Sequence, residues 1–144
     1  MAKLKYRGAS GITELLDIGK IEARVAALEA ANTVPIETYR SGWARYDSIL
    51  PYARKCGRTC FLTGAVTNTV EKSITVDGEV AFVLPAGYRP NYTVRSLCQG
   101  SQYNRYLLTI GTNGEATIGR YGTSGGVTAY VGSFFTIDCC FMLP

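Results

Sequence analysis

Residues 105–121 read RYLLTIGTNGEATIGRY. An apolar-polar alternation runs into Asn113-Gly114 and resumes after it. Asn-Gly accepts the positive φ angles of a type I′ turn, so the stretch predicts a β-hairpin. Asp77-Gly78 predicts a second one, joining KSITV to EVAFV. Outward from these, WARYDS, TCFLTGAV, TVRSLC, VTAYV and FFTIDCCFML are further short strand candidates, separated by Gly, Pro and Asn. Nine such segments between Trp43 and Pro144 have the spacing of a sandwich or barrel. In the last, Phe135, Ile137, Cys139, Phe141 and Leu143 share one face, expected to be the core face. Phe134, Thr136, Asp138, Cys140 and Met142 share the other, a candidate contact with a neighbouring subunit.

The chain's 144 residues leave room for one domain and an appendage. A hydrophobic fraction of 47% with 18% charged residues is that of a folded chain. Its apolar runs are too short to span a bilayer, and its start has no apolar core of a secretory signal, so no membrane insertion is expected. The formal charge of +4 is scattered, which argues against nucleic acid as a partner. Histidine is absent, removing the commonest general base and metal ligand together. Five cysteines, an odd number without a signal peptide, are read as free thiols.

The N-terminal part follows different rules. Residues 1–11 are polar and aperiodic, the composition of an arm ordered against a partner. Residues 12–32, ITELLDIGKIEARVAALEAAN, predict a helix. Ile18, Ile21, Val25 and Leu28 alternate steps of three and four, the a and d positions of a coiled coil, and isoleucine at both favours more than two strands. A helix of this length needs partners, so an oligomeric stalk of three or more strands is expected over 12–32. A connector follows over 33–42 and a head over 43–144. Trp43, which opens the head, is assigned to the trimer axis. The expected fold is mainly β: a short trimeric coiled-coil helix followed by an antiparallel, jelly-roll-like β-sandwich head.

Several segments carry a resemblance. Trp43 leads a first strand, and Lys55-Cys56-Gly57-Arg58-Thr59-Cys60-Phe61-Leu62-Thr63-Gly64 follows. Then come Leu84-Pro85-Ala86-Gly87-Tyr88-Arg89-Pro90 and Ile110-Gly111-Thr112-Asn113-Gly114-Glu115-Ala116-Thr117-Ile118. In this order they resemble the C-terminal head domains of tailed-phage tail, baseplate and fibre proteins. Tyr6-Arg7-Gly8 is similar to the start of baseplate receptor-binding proteins from phages of Gram-positive hosts. The cysteines at 56 and 60 and the pair at 139 and 140 depart from that pattern.

The resemblance implies a homotrimeric virion component, assembled in the host cytoplasm. Its N-terminal arm, through Leu4, Tyr6 and Arg7, would dock on another virion structural protein, and its head would bind a host cell-surface saccharide. Read as a whole gene product, the chain would need such a docking partner. The alternative is a structural head-fibre or tail decoration protein without a dedicated receptor site.

Glycan recognition combines aromatic faces with fixed polar groups. Gln99, Gln102, Tyr103, Asn104 and Arg105 in one loop, with Tyr121 in a second, supply that mixture and are the candidate receptor residues. The head's six carboxylates, Asp47, Glu71, Asp77, Glu79, Glu115 and Asp138, are a sparse supply for a glycosidase, so no enzymatic activity and no catalytic residue is expected. Cys56 and Cys60 are spaced for zinc, but without histidine or a second spaced pair neither metal nor cofactor is expected. Leu84–Pro90 is read as a rigid structural loop, because its prolines and glycine explain its composition.

Overall fold

The computed structural model describes residues 3–8, 11–101, 104–122 and 127–144. They fall into two units, Met1–Thr33 and Val34–Pro144.

In the first unit, strands β1 (Lys3–Gly8) and β2 (Gly11–Asp17) pair antiparallel, with Gly8 opposite Gly11. Helix α1 then runs over Ile18–Ala31, 14 residues or about 21 Å at 1.5 Å per residue. The expectation of a helix from residue 12 and an aperiodic arm over 1–11 is thereby corrected. Glycines at 8 and 11 bracket two residues, the composition of a short hairpin loop, and β-branched Ile12 and Thr13 follow. The register sets Lys5 opposite Glu14 and Lys3 opposite Asp17. On α1, Ile21, Val25 and Leu28 are 42%, 48% and 63% exposed in the single chain.

In the second unit, short strands form antiparallel sheets around one apolar core. They are β3 (Thr33–Pro35), β4 (Trp43–Arg45), β5 (Tyr52–Cys56), β6 (Thr59–Thr63), β7 (Ala65–Asn68), β8 (Lys72–Ile74), β9 (Glu79–Val83), β10 (Val94–Gln99), β11 (Arg105–Ile110), β12 (Glu115–Gly119), β13 (Val127–Ala129), β14 (Phe134–Thr136) and β15 (Cys139–Met142). The sheet orders are β10-β11-β12-β9, β15-β6-β5-β3, β14-β7-β4 and β13-β8. The mainly β, antiparallel character expected from the alternation is what the structure has.

The β11-β12 hairpin forms as expected, with Ile110 opposite Ala116. Its turn differs: Gly114 alone takes positive φ, +85°, while Gly111 N–H donates to the Glu115 carbonyl at 2.9 Å. This is a longer turn closed by a left-handed glycine, not a type I′ turn. Asp77-Gly78 joins no hairpin, because β8 pairs with β13 and β9 with β12. One hairpin missing from the sequence reading is β5-β6, which turns at Gly57-Arg58 with Gly57 at φ +58°.

The final segment keeps its predicted faces but splits. Phe135, Ile137, Phe141 and Leu143 are buried and Cys139 is half-buried, whereas Asp138, Cys140 and Met142 are exposed. Between β14 and β15 the chain changes sheet, and there Asp138 accepts a hydrogen bond from Gly64 N–H at 3.1 Å.

The head begins before Trp43, correcting the connector assigned to 33–42. Ile36 is 2% exposed, Tyr39 bridges to Phe82, and Arg40 N–H donates to the Ala81 carbonyl at 2.9 Å. Trp43 is likewise 5% exposed within its own chain, with its ring 5.2 Å from Phe135. Its assignment to the trimer axis fails because the core already uses the ring. The Leu84–Pro90 loop clamps the β11-β12 turn: Leu84 N–H donates to the Gly114 carbonyl at 2.8 Å and Arg89 Nε to the Leu84 carbonyl at 3.0 Å. Lys55 lies 4.1 Å over the Tyr88 ring, a cation-π contact that holds the loop's far side.

Phe135 is fully buried and touches three other aromatic rings. Phe135→Ala is expected to cost about 3–5 kcal/mol in urea denaturation; a loss below about 1 kcal/mol would show that the ring is not central to the core.

Candidate functional site

The loop between β10 and β11 is built from polar groups that fasten it to β14. Thr136 Oγ1 donates to the Gln99 carbonyl at 2.7 Å, and Phe134 N–H donates to Ser101 Oγ at 2.8 Å. Gly100 N–H closes the loop on the Asn104 carbonyl at 2.7 Å. Asn104 Nδ2 reaches the Tyr121 hydroxyl at 3.1 Å, and Gly122 N–H bonds the Arg105 carbonyl at 2.8 Å. The structure thus brings Gln99, Asn104 and Arg105 together. Gln102 and Tyr103 lie outside the described residues.

Tyr121 does not serve as a sugar platform. It is 2% exposed, with its ring 5.2 Å from Phe135 and its hydroxyl bonded to Asn104 of the loop. The period of its strand gave no sign of this, because β12 ends at Gly119 and Arg120 takes φ +53°, a left-handed residue that turns the following side chain inward. Leu4, Tyr6 and Arg7, the expected anchoring residues, lie in β1 opposite Leu16, Thr13 and Ile12.

A second feature has no counterpart in the sequence reading. A cleft of about 290 Å³ opens between residues 35–39 and 45–51. Pro35, Ile36, Leu50 and Pro51 make its lining partly apolar; Glu37, Tyr39 and Arg45 add charge and hydrogen-bonding capacity. Its walls are fixed by the backbone. Ile36 N–H donates to the Pro51 carbonyl at 3.0 Å, Ala65 N–H to the Ile49 carbonyl at 2.9 Å, and the Tyr39 hydroxyl to the Ile36 carbonyl.

Gly64, at φ +110°, makes the close approach possible: a Cβ there would stand 2.3 Å from the Leu50 carbonyl oxygen. Burial raises the Tyr39 phenol above its ordinary pKa; the Arg45 charge opposes that shift and the Glu37 charge adds to it. Arg45 Nε is 2.9 Å from Asp47 Oδ1 at the rim. The lining comes from two separated segments with no motif between them. Only a proline and a tyrosine in the supposed connector hinted at it.

The head's carboxylates are largely occupied. Besides Asp47, Glu79 meets Lys72 at 2.5 Å, and Glu115 meets Arg40 at 2.7 Å and Asn113 at 2.9 Å. Among the described residues no group of three or more His, Cys, Asp or Glu is arranged to hold a metal ion. Burial pushes the Cys60 thiol up to about 11 and the Cys139 thiol up to about 12, whereas a thiolate site requires deprotonated sulfur.

No family model matches the sequence, and no curated protein does. Among solved structures, the chain is similar to the crystal structure of the receptor binding protein (gp15) of Listeria phage PSA, at 12% identity and a TM-score of 0.55. The match covers 92% of this chain and 82% of that one. The likeness is one of fold.

Both thiols bind their protons more tightly in the folded chain than at the ordinary value of 9.0. The stability this supplies is complete below pH 9 and is lost as pH rises through about 11 and about 12. Cys139→Ser, which cannot titrate in this range, should lose less stability between neutral pH and pH 10 than the unaltered chain. Parallel urea midpoints would contradict the assignment.

Proposed function

We propose that this chain is a phage virion adhesin whose head binds a host cell-surface saccharide and whose N-terminal segment attaches it to the virion. The observation that carries the proposal is the fold shared with a phage receptor-binding protein over 92% of the chain. The four sequence segments that resemble phage head domains support it independently. The mode of action is binding without covalent chemistry, consistent with head carboxylates held by cations and amides.

The proposed assembly is a homotrimer with a sandwich head. Ile21, Val25 and Leu28 keep apolar area exposed at heptad spacing in the single chain, and a helix of 14 residues does not persist alone in water. Three copies would bury that stripe and leave three heads to act together. Residues 3–17 are the proposed virion attachment: a two-stranded hairpin is marginal by itself and gains stability by packing on a partner.

Light scattering is expected to give the mass of three chains, and the double substitution Ile21→Asp, Val25→Asp the mass of one. The purified trimer should bind cells of the strain its phage infects and slow adsorption of the phage, with the double variant weaker by at least about tenfold through lost avidity. Removal of residues 1–11 should leave cell binding intact and abolish incorporation into particles. A wild-type protein that binds no cells, or a truncated one that incorporates normally, contradicts the corresponding part of the proposal.

A further inference from the structure

We infer that the cleft formed by Pro35, Glu37, Tyr39, Arg45, Leu50 and Pro51 is the saccharide subsite of the head and takes one neutral sugar ring. The inference rests on the adhesin function proposed above and places the contact away from the β10-β11 loop.

Size comes first. About 290 Å³ is at the lower end of ligand cavities, room for one ring rather than an oligosaccharide. The chemistry of the walls agrees. A pyranose presents C–H groups on a face and hydroxyls at its rim, and here Pro35 from one segment and Leu50 and Pro51 from the other supply apolar surface. Glu37 accepts hydrogen bonds and Arg45 donates them, so hydroxyls that do both are matched by the pair. With Glu37 in the lining and Asp47 on Arg45 at the rim, carboxylates outnumber the guanidinium there and the cleft does not favour an anion.

Preorganisation is the third consideration. Residues 36–40 are fixed on β9, by Arg40 N–H to Ala81 and Val83 N–H to Thr38, both at 2.9 Å, and the opposite wall is fixed through Ile49 to Ala65. Ligand binding therefore orders little of the protein, which matters most for a small ligand with few contacts. Leu50, 55% exposed at the mouth, has no packing role in the core that would keep an apolar side chain there.

The test uses the full chain and four proteins: wild type, Arg45→Gln, Leu50→Arg and, as a control on the other loop, Arg105→Gln. Saturation-transfer NMR with glucose, galactose, N-acetylglucosamine and glycerol 3-phosphate is run beside cell binding, after mass and unfolding midpoint are compared. Expected is saturation of at least one neutral sugar by wild type and Arg105→Gln, a loss of at least about tenfold in Arg45→Gln, and no binding by Leu50→Arg.

Cells bound normally by both cleft variants overturn the cleft and leave the adhesin function standing, as do cells bound by a wild type that saturates no neutral sugar. Saturation of glycerol 3-phosphate alone overturns the neutral class. A wild type that binds no cells overturns the adhesin function and this inference together. If Leu50→Arg lowers the unfolding midpoint, Arg45→Gln decides, because its side chain is exposed and its loss leaves the core unchanged.

Discussion

Phe135 is the point at which the head's sheets meet. Its ring packs on Trp43 from β4, Tyr106 from β11 and Tyr121 beyond β12, at centroid distances of 5.2, 5.4 and 5.2 Å. Its backbone bridges to Gly100 at the end of β10. One buried residue therefore touches the sheet of β14-β7-β4 and the sheet of β10-β11-β12-β9. The Tyr106 hydroxyl, donated to the Thr136 carbonyl, satisfies the polar end of a ring that the core encloses. With strands of three to six residues in these two sheets, no ladder is long enough to hold alone. The aromatic node makes them one cooperative unit.

That node decides what the surface can offer. Trp43 and Tyr121, the obvious sugar platforms by residue type, are inside and bound to Phe135. The β10-β11 loop keeps Gln99, Asn104 and Arg105 at the surface, but several of its hydrogen-bonding groups are used to hold β14. The cleft at 35–51 combines apolar surface, a phenol and both signs of charge, and it meets the core at Ile36. It exists because Asp138 and Gly64 fix the change of sheet between β14 and β15, and Gly64 lets the 50–51 wall lie against it.

The sequence was informative wherever one period governed a segment. The faces of residues 134–143 followed the twofold alternation through a change of sheet, because the side chains keep alternating even when the strand's partner changes. Asn113-Gly114 marked a real hairpin, whereas Asp77-Gly78 did not. A turn dipeptide reports local φ, and Gly78 does take +74°, but pairing depends on what lies alongside. There, Ile74 is opposite Val127 and Glu79 opposite Ile118, pairings of long range that no dipeptide encodes. At 12–17 good helix formers yielded to a register set by glycines at 8 and 11. The cleft was illegible for the same reason as the false hairpin: its walls come from separate segments joined by backbone bonds.

Size and stoichiometry are connected. At about 0.3 kcal/mol per non-hydrogen atom, a sugar ring of about a dozen such atoms yields about 4 kcal/mol, a millimolar dissociation constant. A single head with one such cleft would release a cell wall almost as soon as it touched it. Linking heads through a shared helix turns later contacts into intramolecular ones, and avidity then exceeds each affinity by about 10²–10⁴. On the function proposed here, the exposed stripe of Ile21, Val25 and Leu28 is as much a part of recognition as the cleft itself. A repetitive polysaccharide satisfies that arrangement because it presents the same ring many times. Weak individual sites also let a particle exchange contacts along the surface, which one tight site would prevent.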